Sequence, residues 1–283
     1  MTRVPLVSRH WGLVAATAIV VGVMTMSVAD VATQQSSTKP AQAPSATAAT
    51  PAAPTFIRLA IFEIRPDMVA EYVALQKSET IPALQKAGIP WRNAWRTGHF
   101  GTGFTVAYLS PIKSFAMLDE PNPLLKALGE EAYQQHQAKM AKFIVSMRTY
   151  ALRDRPDLGI KAEGAPMAKL GVLASVETVP GRATEWETIL KNEWTPALKK
   201  AGVTGYGVSQ VVFGGSAGQY YTFTPLENYA QLDKGHPITQ SIGEAGMNRI
   251  IAKMTASTRS VERFIIRYDD QLSFRTQQTS EVR

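Results

Sequence analysis

Cysteine is absent from this 283-residue sequence, and its absence excludes several kinds of site. Disulfides, iron–sulfur clusters, thiolate zinc sites and a cysteine nucleophile all require this residue. Histidine is also scarce, with four in the chain and no HxH or HExxH spacing among them. A metal site built from ligands close together in sequence is therefore not expected.

Several common binding motifs are missing as well. The chain has no GxGxxG or GxxxxGK[ST] sequence, so dinucleotide and P-loop sites are not indicated. Lys and Arg exceed Asp and Glu by 30 to 23, but the basic residues are scattered among acidic ones. We therefore expect no nucleic-acid partner. Hydrophobic residues make up 45% and charged residues 19%, which is typical of a globular protein.

Residues 1–29 have the pattern of a secretory signal peptide. Arg3 and Arg9 supply the positive start, an apolar run covers 11–26, and Ser27-Val28-Ala29 provides small residues for cleavage. The pattern predicts an exported protein, periplasmic or secreted, with no stable membrane insertion once the signal is removed. The alternative is an uncleaved membrane anchor, because the apolar run approaches spanning length.

Low-complexity sequence separates this segment from the rest of the chain. Residues 30–55 are mostly Ala, Pro, Thr, Ser and Gln, and too few apolar side chains are present to form a core. We predict a disordered linker there and a polar tail at 275–283.

The strongest pattern is an internal repeat with an offset of 114 residues. The segment 81–88, Ile-Pro-Ala-Leu-Gln-Lys-Ala-Gly, returns at 195–202 as Thr-Pro-Ala-Leu-Lys-Lys-Ala-Gly. The same offset aligns Glu63 with Glu177 and continues without a gap for about a hundred residues. Two copies of one structural unit are predicted.

Each copy has the pattern strand, helix, strand, strand, helix, strand. We predict an α+β fold made of two tandem ferredoxin-like βαββαβ repeats, at 56–160 and 167–274, with Pro82 kinking the first helix. In the first strand of the second repeat, alternation assigns Leu170, Val172, Ala174 and Val176 to the helices and Leu173, Ser175 and Glu177 to the opposite face. Packing the two opposite faces together closes an α+β barrel.

This arrangement resembles the dimeric α+β barrel superfamily in a fused, tandem form. The string Val-Pro-Gly-Arg-Ala-Thr-Glu-Trp at 179–186 is most similar to the NIPSNAP-type and EthD-like branches, whereas the first repeat departs from it with Arg65-Pro66-Asp67. The resemblance implies a barrel cavity. It leaves the activity open, because the superfamily includes cofactor-free monooxygenases, haem-dependent enzymes and haem-degrading enzymes.

Glu63 and Glu177 are the first candidate catalytic residues. Both lie late in the first strand of their repeat, on the face predicted to line the barrel. A carboxylate in an apolar cavity can act as a general base. The alternative is a structural ion pair near solvent at the strand end.

The hairpin of the first repeat supplies the other candidates. Period-two alternation places Trp91, Asn93, Trp95 and His99 on one face. If this face points inward, the two tryptophans form an aromatic wall for a ligand, and Asn93 and His99 offer polar anchors, with His99 as a third candidate catalytic residue. The alternative is that the tryptophans are core residues and that His99 is exposed at the strand end.

Four further residues have structural and functional interpretations. We expect Glu79 and Glu193 to pair with basic residues across the two repeats. His136, in the second helix, and His236, in a loop, are possible haem ligands, although a hydrogen-bonded helix histidine and a surface histidine are the commoner outcomes. No metal site is expected.

The sequence thus predicts a barrel that binds a small apolar or aromatic compound, and the resemblance suggests a cofactor-independent monooxygenase as its activity. The alternatives are a haem-binding barrel and a non-catalytic binding or assembly protein whose barrel is filled with side chains. Whether copies associate into a homo-oligomer stays open.

Overall fold

A computed structural model describes residues 55–161 and 167–276. The predicted signal peptide at 1–29 and all but the last residue of the predicted linker lie outside these residues, as does most of the predicted tail. Within the described part of the chain, no helix combines the length and apolar character needed to cross a membrane.

The first repeat has the predicted order of elements. Its strands and helices are β1 (Phe56–Ile64), α1 (Val69–Leu75), α2 (Ile81–Lys86), β2 (Trp91–Thr97), β3 (Thr105–Ile112), α3 (Pro123–Leu128), α4 (Glu130–Phe143) and β4 (Ile144–Asp154). A π-helical turn, Gln76–Thr80, joins α1 to α2. It ends two residues before Pro82, which has no N–H to continue a regular α-helix, so the predicted irregularity in this helix is present.

The second repeat follows the same order and then adds a short strand. Its elements are β5 (Leu170–Thr178), α5 (Ala183–Ile189), α6 (Thr195–Lys200), β6 (Gly207–Phe213), β7 (Gln219–Leu226), α7 (Ala230–Asp233), α8 (Pro237–Ser257), β8 (Thr258–Tyr268) and β9 (Phe274–Arg275). The π-helical turn recurs at Leu190–Trp194, again just before a proline. Arg275, placed in the predicted tail, instead pairs with Trp91, so the folded region extends past 274.

Eight strands close into one antiparallel barrel. The order is β3-β1-β4-β6-β7-β5-β8-β2, and β2 pairs back with β3. Since every neighbouring pair is antiparallel, β1 and β5, four positions apart, run in the same direction. The ends of these two strands, and the glutamates they carry, therefore lie at the same end of the barrel.

The alternation of side chains separates three cores. Val176 packs with the helices of the second repeat, and Ile64 with those of the first. Leu173 faces the opposite way and packs in the barrel interior, as the alternation predicts, against a set of buried residues from both repeats: Leu59, Tyr150, Leu152, Val211 and Tyr221.

Each repeat also ends in an arm that reaches the other repeat. After β4, Leu158 enters the core of the second repeat, and after β8, Leu272 enters the core of the first. The first arm is held by ion pairs from Arg155 to Glu187, and the second by one from Asp269 to Arg96. The two repeats are thus joined by exchanged arms as well as by the barrel.

Candidate functional site

Glu63 lies near the barrel end at which β1 finishes. It is half-buried, pairs in register with Thr105 and Ser146, and accepts a hydrogen bond of 2.9 Å at Oε2 from Ser146 Oγ. The β1–β4 register shifts directly after Glu63, so the carboxylate lies at the last regular position of the strand.

Glu177 repeats this arrangement on β5. It pairs in register with Gln219 and Ser260, and Ser260 Oγ lies 3.5 Å from its Oε2. Arg259 Nη1 lies 3.6 Å from Oε1, and the side chain of Glu177 is 27% exposed. The same barrel end therefore carries two carboxylates, each beside a serine hydroxyl.

The barrel is open at this end because its strands differ in length. β4 pairs with β6 only from Ala151 onward, and β8 pairs with β2 only from Ile266 onward. The preceding residues of β4 and β8 pair with β1 and β5 alone, and residues 145–149 and 259–263 are exposed on both faces. Solvent thus reaches the two carboxylates, as the structural alternative for Glu63 and Glu177 requires.

Aromatic and polar side chains form the floor below the carboxylates. The Tyr150 and Tyr221 rings, one from each repeat, meet with centroids 5.8 Å apart. Burial raises the pKa of the Tyr221 phenol, and its neighbour Tyr150 adds to this, so the phenol stays protonated at neutral pH. Gln219 Nε2 donates to Ser175 Oγ at 3.1 Å beside them.

Farther inside, the barrel is filled by aromatic rings. Trp95 packs against Phe223 at 5.1 Å and Tyr268 at 5.3 Å between centroids, both from the other repeat. Phe223 lies so close to Gly171 that a Cβ there would come within 2.3 Å of the ring. Trp95 is therefore a core residue of the barrel interior.

The other residues of the β2 row have different positions. Asn93 is opposite Leu109, and Trp91 pairs with Arg275 of β9; both are half-buried. Because β2 runs toward the open end, Trp91 is the residue of this row farthest from the two glutamates. The structure aligns Trp91, Asn93 and Trp95 on one face but does not bring them beside Glu63 and Glu177.

His99 does not belong to that row, so the inward position that its candidate catalytic role requires is not found. β2 ends at Thr97, where Gly98 N–H donates to Ile265 O at 2.6 Å and the chain leaves the strand alternation. The exposed His99 ring packs on Tyr229 with centroids 5.2 Å apart. His99 is therefore exposed at the strand end, as the alternative interpretation expected.

Glu79 and Glu193 form ion pairs within each repeat, so the expected pairing across repeats is wrong. Lys139 Nζ lies 2.6 Å from Glu79, and Lys253 Nζ lies 2.8 Å from Glu193. Each pair joins the π-helical turn to the long helix of its own repeat. Sixty residues separate the partners in both pairs, so the two pairs are equivalent at the repeat offset. The repeat could therefore have predicted which lysine pairs with each glutamate.

Neither candidate haem histidine has the surroundings of an axial ligand. His136 is 2% exposed in the helix layer, where its Nε2 lies 2.8 Å from Thr80 Oγ1. His236 caps α8, with Nδ1 accepting from Ile238 N–H at 3.2 Å. The residues present therefore do not fit a haem. Among the described residues, no group of three or more His, Cys, Asp or Glu could hold a metal ion.

Sequence reasoning missed the floor residues Tyr150 and Tyr221, and it missed three polar residues near the two carboxylates. Ser146 and Ser260 are identical residues at the repeat offset, which is the signal that could have found them. Arg148 lies between Ser146 and Tyr150 on the inward face of β4, and the neighbouring Tyr150 phenol raises the pKa of its guanidinium. In the second repeat Glu262 occupies the aligned position.

The open end can bind a polar group above an aromatic surface. The two carboxylates can accept hydrogen bonds from a hydroxyl group or take up a proton, and Arg148 can balance negative charge. The rings of Tyr150 and Tyr221 can pack against an apolar ring.

Comparison with known proteins identifies the fold but no activity. No family model and no curated protein matches the sequence. Among solved structures, an anthrone oxidase-like protein is 8% identical and has a TM-score of 0.56, covering 79% of this chain and 94% of its own. A candidate monooxygenase from Fusobacterium nucleatum is 10% identical with a TM-score of 0.52, covering 77% and 93%.

These likenesses confirm the predicted dimeric α+β barrel fold, here formed by one chain. A NIPSNAP domain protein from Burkholderia xenovorans also matches, with 12% identity and a TM-score of 0.30; it covers 40% of this chain and 99% of its own. At such identities the comparisons concern the fold alone.

Proposed function

We propose that this protein binds a small aromatic compound carrying a hydroxyl group at the open end of its barrel. The observation that carries the proposal is the repeated carboxylate–serine pair, Glu63 with Ser146 and Glu177 with Ser260, at one end of the barrel. The ligand's hydroxyl group donates to a carboxylate, and its ring packs over Tyr150 and Tyr221.

We further propose that the protein oxidises that ligand with dioxygen and without a metal. Glu63 or Glu177 would take the hydroxyl proton as a general base, and the electron-rich anion would pass its electrons to dioxygen. One oxygen atom would bond to a ring carbon to give a quinone, and the other would leave as water. Two proteins with this fold, an anthrone oxidase-like protein and a candidate monooxygenase, favour this reaction class. A haem is not part of the proposal, because His136 and His236 do not fit it.

The second candidate is a non-catalytic binding or assembly protein. The Trp95–Phe223 contact favours it, because the inner barrel is filled by side chains from both repeats. Under this alternative, a compound binds at the open end without turnover, or no compound binds at all.

A fluorescence titration with 1-naphthol tests the binding site. Glu63→Gln combined with Glu177→Gln should weaken binding at least about tenfold, since both charged acceptors are lost. Glu71→Gln combined with Glu185→Gln is the matched control, because these exposed helix carboxylates are also repeat equivalents. Equal binding by both double variants contradicts the proposed site.

Oxygen uptake with anthrone, whose enol tautomer carries the aromatic hydroxyl group, tests the reaction separately. The oxidative proposal expects dioxygen consumption by metal-free protein and its loss in the Glu63→Gln, Glu177→Gln variant. Retained 1-naphthol binding with no oxygen uptake would support the non-catalytic candidate instead.

We also propose that the protein is exported by cleavage after residue 29, on the sequence pattern alone. Amino-terminal sequencing of the protein from cell-envelope and secreted fractions checks this. A mature chain beginning at Asp30 is expected, and an intact Met1 in membranes would indicate a retained anchor.

A further inference from the structure

Within residues 55–161 and 167–276, two strand segments project from the open end of the barrel without a covering helix or a second neighbouring strand. The first comprises residues 145–149 of β4 and the second residues 259–263 of β8. We name them the first and second ribbon edges. In each ribbon edge, five consecutive residues are exposed on both faces, which is unusual in a strand. One side of each strand is also unpaired, and an unpaired edge attracts another strand.

The turns of the barrel reach only the inner ends of these edges. Gly214, just after β6, lies beside the carbonyl of Thr149. On the other side, Phe100 O accepts from Ile265 N–H at 3.1 Å. Nearer the barrel mouth, alternate backbone N–H and C=O groups of both edges point away from β1 and β5.

Apolar side chains lie at the centre of both edges. Met147 is 56% exposed and Val261 is 49% exposed, and the two are equivalent at the 114-residue offset. Val145, beside Met147, is also largely exposed. A solvated strand edge ordinarily carries charge at such positions, so an apolar centre indicates a contact.

We infer that a second copy of this chain docks end to end, so that the first ribbon edge of each copy pairs antiparallel with the second ribbon edge of the other. Both edges start at the same barrel end, so a twofold axis perpendicular to the barrel forms both pairings at once. Aligned centre to centre, Met147 faces Val261 of the second copy.

Charge favours this pairing over pairing of like edges. On the inward face, Ser146 then lies opposite Glu262 of the second copy, and Arg148 lies diagonal to the same glutamate. Pairing two second edges about Val261 would instead place Arg259 opposite Arg263. Both copies contribute one edge of each kind, so the dimer is closed and leaves neither edge unpaired.

Cysteine cross-linking tests the register, because the chain has no cysteine of its own. Met147→Cys mixed with Val261→Cys should give a disulfide-linked dimer, since directly opposed strand residues lie within disulfide range. Each variant alone should cross-link much less. Ile251→Cys mixed with Leu232→Cys is the matched control, with exposed apolar positions on α8 and α7.

Sedimentation of the unmodified protein tests association without cysteine. A dimer is expected, and Met147→Arg should weaken it by about tenfold or more because it places like charge beside the partner edge. Ile251→Arg should leave it unchanged. A monomer at every concentration, or cross-linking no greater in the mixture than in the control, overturns the inference. Neither readout uses 1-naphthol, so this inference and the proposed function fail independently.

Discussion

In the first repeat, the layer between sheet and helices contains a buried arginine, whereas the aligned layer of the second repeat holds aromatic and aliphatic side chains. Arg92 is 5% exposed and donates to Leu272 O at 3.0 Å and to Gln76 Oε1 at 3.0 Å. Its guanidinium also lies 4.3 Å from the centroid of Tyr108. Burial lowers the pKa of Arg92.

At the offset positions the second repeat has Tyr206 for Arg92 and Leu190 for Gln76. Burial raises the pKa of Tyr206 to about 12, and Trp186 packs on Tyr220 at 4.5 Å between centroids. The two helix layers thus differ in chemistry, while the barrel end has the same Glu and Ser in both repeats. The helix layers can diverge because they are separated from the barrel interior by the sheet.

The largest expected effect comes from removing the arm residues that join the repeats. Leu158→Ala and Leu272→Ala should each lower the free energy of unfolding by about 2–5 kcal/mol, because each leucine is almost fully buried. Urea denaturation measures the loss. Hydrogen exchange should speed up in the repeat that receives the altered arm, and faster exchange confined to the repeat that supplies it would contradict the exchange of arms.

Arg92→Met should be the next largest change. It leaves Gln76 Oε1 and Leu272 O without their donor and should cost about 2 kcal/mol of unfolding free energy. Tyr206→Phe, at the aligned position, keeps the ring and should cost less. If Tyr206→Phe lowered the free energy of unfolding more than Arg92→Met in the same denaturation assay, the larger contribution assigned to Arg92 would be contradicted.

His136 should make stability depend on pH. Burial lowers its folded pKa, Lys139 lowers it further, and Glu79 opposes both. Below the ordinary value of about 6.5 the unfolded chain binds a proton that the folded chain does not, so stability falls as pH falls. His136→Ile, the residue at the aligned position, should flatten the curve of unfolding free energy against pH; an unchanged slope between pH 7 and pH 5 would contradict this. His236, whose pKa burial also lowers, supplies a remaining slope.

The smallest effect should come from the matched surface ion pairs. Glu79→Gln and Glu193→Gln should each cost no more than about 0.5 kcal/mol, because exposed pairs contribute little. The two losses should be equal within error and should shrink in high salt. Thermal unfolding at two salt concentrations checks this. A large difference between the losses of the two variants would show that the two ion pairs are not equivalent.

The repeat and the alternation of side chains together predicted the barrel and the shared inward face of Glu63 and Glu177. They also contained the two ion pairs, since both the glutamates and the lysines recur at the same offset. His99 was misplaced because its departure from the strand depends on a bond from Gly98 to β8, far away in sequence. The arms were missed for a similar reason: aligned leucines indicate burial but not which repeat they enter.

A crystal structure of the protein with 1-naphthol is the sharpest test of the proposed site, since it locates a ligand without relying on activity. We expect the naphthol oxygen within hydrogen-bonding distance of Glu63 or Glu177 and its ring over Tyr150 and Tyr221. A naphthol bound only elsewhere, with the open end of the barrel free of it, would show that this end is not the binding site.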